Sequence, residues 1–235
     1  MTSTTRTRAR RGEGALLREE ILRAAEDLLA EHGSEDALTI RAVAARAGIS
    51  TPSVYLHFAD KEALLETVCL RVWDELGRLF RENAGGDPFV ALGRCGRAYA
   101  RFALTHPVQY RVLLMRSTPE GPAQAATECF RHMVAVVERC VESGILRGDP
   151  ERLALTLWSA VHGCVALVLA QPGFPWPDVD ELVNQAVIVA GFGSAMLSRV
   201  PPEGVPASAE LAEDLDTLAE RLRNRRPYRK DQASP

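Results

Sequence analysis

The segment from Thr39 to Lys61, reading TIRAVAARAGISTPSVYLHFADK, constrains the chain more than any other. Ala42, Val43, Ala44 and Ala47 give a first short helix a compact apolar face. Gly48 supplies the backbone freedom that a sharp reversal needs, and Ile49 is placed to plug the corner between two helices. Ser50 suits the N-cap of the second helix because its hydroxyl can accept from free backbone N–H groups. Pro52 falls in the first turn, where no intrahelical donor is lost, so a helix is predicted from about Thr51. Between Asp36 and Asp60 the segment holds Arg41, Arg46 and His57 but no Asp or Glu, although the whole chain carries a net charge of -3. That surface is locally fit to approach phosphate, and the pattern predicts a helix-turn-helix whose second helix enters a DNA groove.

Helical periodicity runs through the rest of the chain and no strand-like alternation or hairpin signal interrupts it, so the fold class expected is all-α. A helix over about Leu16 to Glu31 repeats apolar groups at Ile21, Leu22, Ala25, Leu28 and Leu29 and stops at Gly33. Asp60 caps a long helix with a stripe of Leu65, Val68, Cys69, Val72, Trp73, Leu76, Leu79 and Phe80, ending before Gly85-Gly86. Asp87-Pro88 opens the next helix, His106-Pro107 interrupts it, Thr118-Pro119 to Pro122 makes a loop, and Gly144 ends the helix after that. Asp149-Pro150 and Pro177-Asp178 open two more. The division expected is a basic arm over 1–14, a helix-turn-helix DNA-binding domain over 15–60, a helical effector-binding and dimerisation domain over 61–200, and a C-terminal extension over 201–235. At 235 residues, with 46% hydrophobic and 25% charged residues, the chain can bury a core in each of two globular domains. The N-terminus has no apolar stretch after its charges and the five cysteines are unevenly spaced, so a cytoplasmic protein without a secretory signal or disulfide framework is expected.

The last two long helices are unusually apolar. From Leu153 to Ala170 only Thr156, Ser159 and His162 are polar, and Leu182 to Leu197 is nearly as apolar around its circumference, so both need burial on every side. The first approaches the length of a membrane span, but its histidine and small residues argue against insertion. The expectation is a homodimer in which these helices, about 151–171 and 178–198, meet their copies as a four-helix bundle, with Gly191, Gly193, Ser194 and Ala195 allowing close approach. A two-fold dimer presents two reading helices to a palindromic double-stranded DNA operator with half-sites about one turn, roughly 34 to 36 Å, apart.

Thr39, Arg41, the run from Ala44 to Ser50, then Ser53-Val54-Tyr55-Leu56-His57-Phe58 and Lys61-Glu62-Leu64-Leu65 together resemble the DNA-binding domain of TetR/AcrR-type transcriptional regulators. The likeness covers roughly residues 15 to 65. It implies base or phosphate contacts from Ser50, Thr51, Pro52, Ser53 and Tyr55, and phosphate contacts from Thr39, Arg41, His57 and Lys61. The chemistry agrees, since hydroxyls and a helix N-terminus suit phosphate oxygens and a tyrosine can lie against a thymine methyl. Pro52 departs from the glycine or lysine common in the family, removing a donor and altering which bases are read. Tyr55 reads either as a groove contact or as a half-buried packing residue; Phe58, Ile49, Val54 and Leu64 read as core.

Trp158, His162 and Gly163, in the order Trp-x-x-x-His-Gly, resemble the TetR-type C-terminal domain called WHG, over about residues 90 to 197. The resemblance implies an effector domain without naming a ligand. Trp158 and His162 are four apart and share a helix face, where they either line a cavity for a small apolar effector or are interior residues with His162 bonded to a backbone carbonyl. Further candidate wall residues are Phe102, Tyr110, Met115, Phe130, Met133, Phe174 and Trp176. Effector binding is expected to move the helix that begins at Asp60, change the spacing of the paired reading helices and release DNA.

No enzyme is expected, because the histidines at 32, 57, 106, 132 and 162 are scattered and no Ser, Asp or Cys stands at a catalytic spacing to them. No cofactor or metal is assigned. Cys129 and His132, one helical turn apart, leave open a metal- or redox-sensing regulator as the alternative. Arg6, Arg8, Arg10 and Arg11 form an acid-free arm that either follows the minor groove or is a solvated tail. Leu211, Leu215, Leu218 and Leu222 predict a small amphipathic helix beyond Pro201-Pro202, followed by a basic run from Arg223 to Lys230.

Overall fold

The computed structural model describes residues 13–115, 124–197, 199–200 and 207–224, and every regular element among them is helical. The N-terminal arm, the Thr118–Pro122 loop, Pro201-Pro202 and the basic run beyond Asn224 lie outside the described residues, as does the side chain of Met115. The elements are α1 (Glu13–His32), a 3-10 turn (Glu35–Ala37), α2 (Ile40–Arg46), α3 (Thr51–Tyr55), α4 (Lys61–Asn83), α5 (Pro88–Thr105), α6 (Pro107–Met115), α7 (Gln124–Glu142), α8 (Pro150–Ala170), α9 (Val179–Leu197) and α10 (Ser208–Arg223).

Local chemistry accounts for most boundaries. The side chains of Asp60, Asp87 and Asp149 accept from Ala63 N, Val90 N and Arg152 N at 2.8, 2.9 and 2.8 Å, satisfying donors that a helix start leaves free. Pro88 and Pro150 stand in the first turns of α5 and α8, where a missing N–H costs nothing. Gly33 ends α1 and Gly48 ends the reversal after α2, both at φ 66°, a left-handed conformation that a side chain would strain.

Two apolar cores result. The first gathers Ile21, Leu22, Ala25, Leu28 and Leu29 of α1 with Val43, Val54, Phe58, Leu64, Leu65 and Val68. The second gathers α5, α7, α8 and α9 around Val72, Leu76 and Phe80 of α4. One helix, α4, therefore serves both cores, its first half in one and its second half in the other. The short helix α6 does the same at closer quarters: Val108 is buried in the first core and Tyr110 in the second. Arg111 ties α6 to the end of α1 by donating from Nη2 to Gly33 O at 2.7 Å.

Helices α8 and α9 lie against each other, yet each leaves an apolar face uncovered. Leu155, Leu167, Ile188, Val189, Phe192 and Leu197 are all exposed in the single chain. By length and composition α8 could cross a membrane, but only its inner face, with Ala154, Leu157, Val161 and Val165, is buried. Beyond them α10 is amphipathic, with no buried residue.

Candidate functional site

The surface around α3 is built from groups that fix its shape before any ligand arrives. Thr39 Oγ1 accepts from Ala42 N at 3.1 Å and so caps α2. Ser50 Oγ accepts from Ser53 N at 3.4 Å and shares a hydrogen bond with Ser53 Oγ at 2.7 Å, which orients both hydroxyls at the start of α3. Val54 and Phe58 are buried, and the guanidinium of Arg18 lies 5.0 Å from the Phe58 ring centroid, closing the underside of the unit. None of Thr39, Arg41, Ser50, Thr51, Pro52, Ser53, Tyr55, His57 and Lys61 is buried, and Tyr55 leaves 54% of its surface open to a ligand.

Two features were not anticipated. Arg46, the other cation of the acid-free stretch, is held by Glu31, with Nη1–Oε1 at 2.9 Å and Nη2–Oε2 at 2.5 Å. That pairing pulls the Glu31 carboxyl below its usual range and neutralises Arg46 on the surface. Leu56 is 82% exposed directly beside Tyr55. The signal for it was present in the sequence: Val54 and Phe58, four apart, take the core face, and Leu56 midway between them is forced outward. The start of α1 also comes to this surface, since a Cβ on Gly14 would stand 4.0 Å from the His57 ring.

Two cavities occupy the second core. One of about 250 Å³ lies among α4, α5, α7, α8 and α9, with Leu92, Gly93, Gly96, Arg97, Val161 and Val187 in its walls. The other, of about 220 Å³, is bounded by Trp73, Leu76, Thr127, Cys129, Phe130 and Leu155. Phe80, Tyr99, Met133 and Trp158 belong to the walls of both and partition them. Of the wall residues proposed from sequence, Trp158 and Met133 thus line both cavities and Phe130 lines one. Phe102, Tyr110 and His162 stand outside both, and Phe174 and Trp176 pack on each other in the connection between α8 and α9. Phe102 is buried with its ring stacked 4.8 Å from that of His106.

His162 has a different partner from the backbone carbonyl expected of an interior histidine. Tyr110 Oη is 2.6 Å and Tyr99 Oη 2.9 Å from its Nδ1, and the two hydroxyls are 3.5 Å apart. A single ring nitrogen offers one lone pair or one proton, so it can satisfy only one of these hydroxyls fully. Burial holds the His162 pKa below the ordinary histidine value and raises both tyrosines, leaving a neutral three-membered polar cluster. Tyr99 belongs to the cavity wall and Tyr110 to α6, so the cluster joins the cavities to the helix that reaches the first core.

Cys129 and His132 do not converge on a metal. Burial pushes the Cys129 thiol up to about 12, and His132 Nε2 lies 2.8 Å from Arg81 Nη1, a cation where a metal's charge would have to sit. Among the described residues no group of three or more His, Cys, Asp or Glu side chains could hold a metal ion.

Comparison with known proteins gives matching family models over both cores. Residues 21–68 match the model for bacterial regulatory proteins of the tetR family, and residues 92–189 match the tetracyclin repressor-like C-terminal domain. An uncharacterised HTH-type transcriptional regulator of Mycobacterium tuberculosis, Rv0681, is 34% identical over 154 residues, 65% of this chain and 70% of that protein. The HTH-type transcriptional repressor Rv3405c of the same species is 40% identical over 85 residues, 36% of this chain and 45% of that one. A solved structure of a Rhodococcus protein of unknown function is similar at 26% identity with a TM-score of 0.65, covering 76% of this chain and 95% of that one.

Proposed function

This chain belongs to the TetR family of transcriptional regulators, and from that premise we propose that it is a homodimeric repressor released from a palindromic operator by a small apolar effector. Members of the family bind DNA operators and small-molecule effectors and act as dimers, and as a class they are soluble and generally non-enzymatic. For this chain a cytoplasmic regulator without catalytic activity follows. Ser50, Thr51, Pro52, Ser53 and Tyr55 are assigned to the major groove, and Thr39, Arg41, His57 and Lys61 to phosphates. Five of the nine, Thr39, Arg41, Ser50, Pro52 and Tyr55, are exposed and the other four partly so, which supports that assignment. Repression rather than activation is supported by the relative named a repressor.

The dimer forms through α8 and α9. Thr156, Ser159, Ala160, Gly163 and Leu167 lie on the face of α8 opposite its buried residues, and Val189 and Phe192 on that of α9. None is charged, and all but the partly covered Gly163 are exposed in one chain, as an isologous four-helix contact requires, although Phe192 also borders the larger cavity. The DNA-binding domain takes residues up to about 60 and the effector domain 61–200, with an arm before and an extension after.

The observation that carries the reading is α4. It begins at Lys61 beside the DNA-facing surface and brings Phe80, further along the same helix, into the walls of both cavities. A ligand that displaces Phe80 acts on a lever already joined to the reading unit. A coupling of about 1 to 3 kcal/mol changes operator affinity by roughly five- to 150-fold. Fluorescence anisotropy on a labelled operator, with and without a saturating cavity ligand at fixed salt, tests it; equal affinity in the two states would sink the mechanism.

A further inference from the structure

The larger cavity has one charged residue in its wall, Arg97, and the smaller has none. The Arg97 guanidinium folds back over Gly93, where an added Cβ would meet its Nη1 at 3.4 Å and its Nη2 at 3.6 Å. Its partner among the described residues is Asn184, at 3.4 Å from Nη1 to Oδ1, a long bond to a neutral oxygen. No ion pair involves Arg97 among the described residues. Arg97 therefore brings a partly exposed cation, with no carboxylate paired to it among the described residues, to the wall of an apolar chamber. A guanidinium is also the group that best pairs a planar anion through two parallel hydrogen bonds.

The chamber behind Arg97 has no second charge. Leu92, Leu157, Val161 and Val187 line it on one side of the Phe80–Trp158 partition, and on the other Trp73, Leu76, Phe130 and Leu155 continue the apolar wall. Each cavity alone falls below the roughly 300 Å³ at which small-molecule sites begin, whereas the two joined fall within that range. Met133 in the partition is unbranched and adapts readily, so a narrow flexible chain can pass where a rigid polycycle cannot.

Building on the effector reading above, we propose that the effector is an anionic amphiphile: a monocarboxylate whose head pairs with Arg97 and Asn184 and whose flexible hydrocarbon chain runs past Tyr99 and Trp158 into the second cavity. Arg97 then sets specificity for the anion, and the apolar walls set the affinity for the chain.

Calorimetric titration of the full chain with decanoate, decanol and decyltrimethylammonium tests this, repeated on Arg97→Gln and Arg97→Lys. Arg97 is not buried and makes no ion pair among the described residues, so both variants should fold, as thermal melting will verify. Decanoate is expected to bind at least tenfold more tightly than decanol and the cation to bind weakest. In Arg97→Gln the preference for decanoate should vanish with decanol affinity unchanged, and Arg97→Lys should keep part of it. Equal binding of decanoate and decanol by the natural chain, or a preference that survives in Arg97→Gln, overturns the anion assignment and leaves the apolar effector standing. No binding of either compound overturns both.

Discussion

Replacing Val189 by Asp should separate the dimer without unfolding the protomer. In one chain Val189 is 69% exposed and Leu167 is 58% exposed, so each has more than half of its surface still to bury. Full burial of a Val or Leu side chain contributes about 1.5 to 3 kcal/mol, so covering the exposed share of Val189 contributes about 1 to 2 kcal/mol per protomer. Two-fold symmetry counts each side chain twice, and the substitution therefore removes about 2 to 4 kcal/mol before any charge effect. Two carboxylates brought together in a dry contact add to the loss. The dimer dissociation constant should rise by at least about 30- to 1,000-fold, at 1.4 kcal/mol for each factor of ten. Sedimentation velocity across a dilution series reads this directly, with helical content by circular dichroism and decanoate binding as controls for the protomer. A Val189→Asp chain that stays dimeric at nanomolar concentration refutes the α8/α9 contact. A monomeric Val189→Asp chain that holds the operator as tightly as the natural protein refutes the need for paired reading helices.

Three other outcomes are expected. Tyr55→Ala should weaken operator binding by about 5- to 150-fold, the equivalent of 1 to 3 kcal/mol for a lost groove contact, and leave the melting temperature unchanged because the side chain is exposed; anisotropy and calorimetry check the two halves. His162 is held neutral by burial, so the unfolded chain takes up a proton there at a higher pH than the native one does. Stability should therefore be full above about pH 6.5 and fall as pH drops through the depressed native value. His162→Gln should flatten that slope in pH-dependent melting, with His132, also shifted down, accounting for a remainder. Deleting residues 1 to 12, which precede the point where α1 passes His57, should lower both operator affinity and its salt slope; an unchanged slope would remove the arm from the interface.

Helix starts were legible because their causes are local. Asp60, Asp87 and Asp149 each cap a donor three residues ahead, and Gly33 and Gly48 mark backbone reversals, so a reader of the sequence needs only a short window. The start of α3 was legible for the same reason, down to the serine cap. The effector region was legible only in part: Trp158, Met133 and Phe130 do line the cavities, but the rest was hidden. His162 finds its partners 52 and 63 residues away on α6 and α5, and no periodicity on α8 announces two tyrosines from other helices. Val108 and Tyr110 are two apart on α6 yet enter different cores, a division set by the packing of α6 between α1, α4 and α5. Nothing in the sequence singles out Arg97, which reaches a cavity wall because its guanidinium folds over Gly93. The apolar faces of α8 and α9 pointed to burial on all sides, and half of that burial is missing from a single chain.

The most direct test of the central claim is selection of bound fragments from random duplex DNA by the purified full chain at moderate ionic strength. A dyad-symmetric sequence with half-sites about one helical turn apart, lost on Tyr55→Ala, is the expected result. Recovery of fragments with no shared sequence would contradict the assignment of Ser50 to Tyr55 as a base-reading surface.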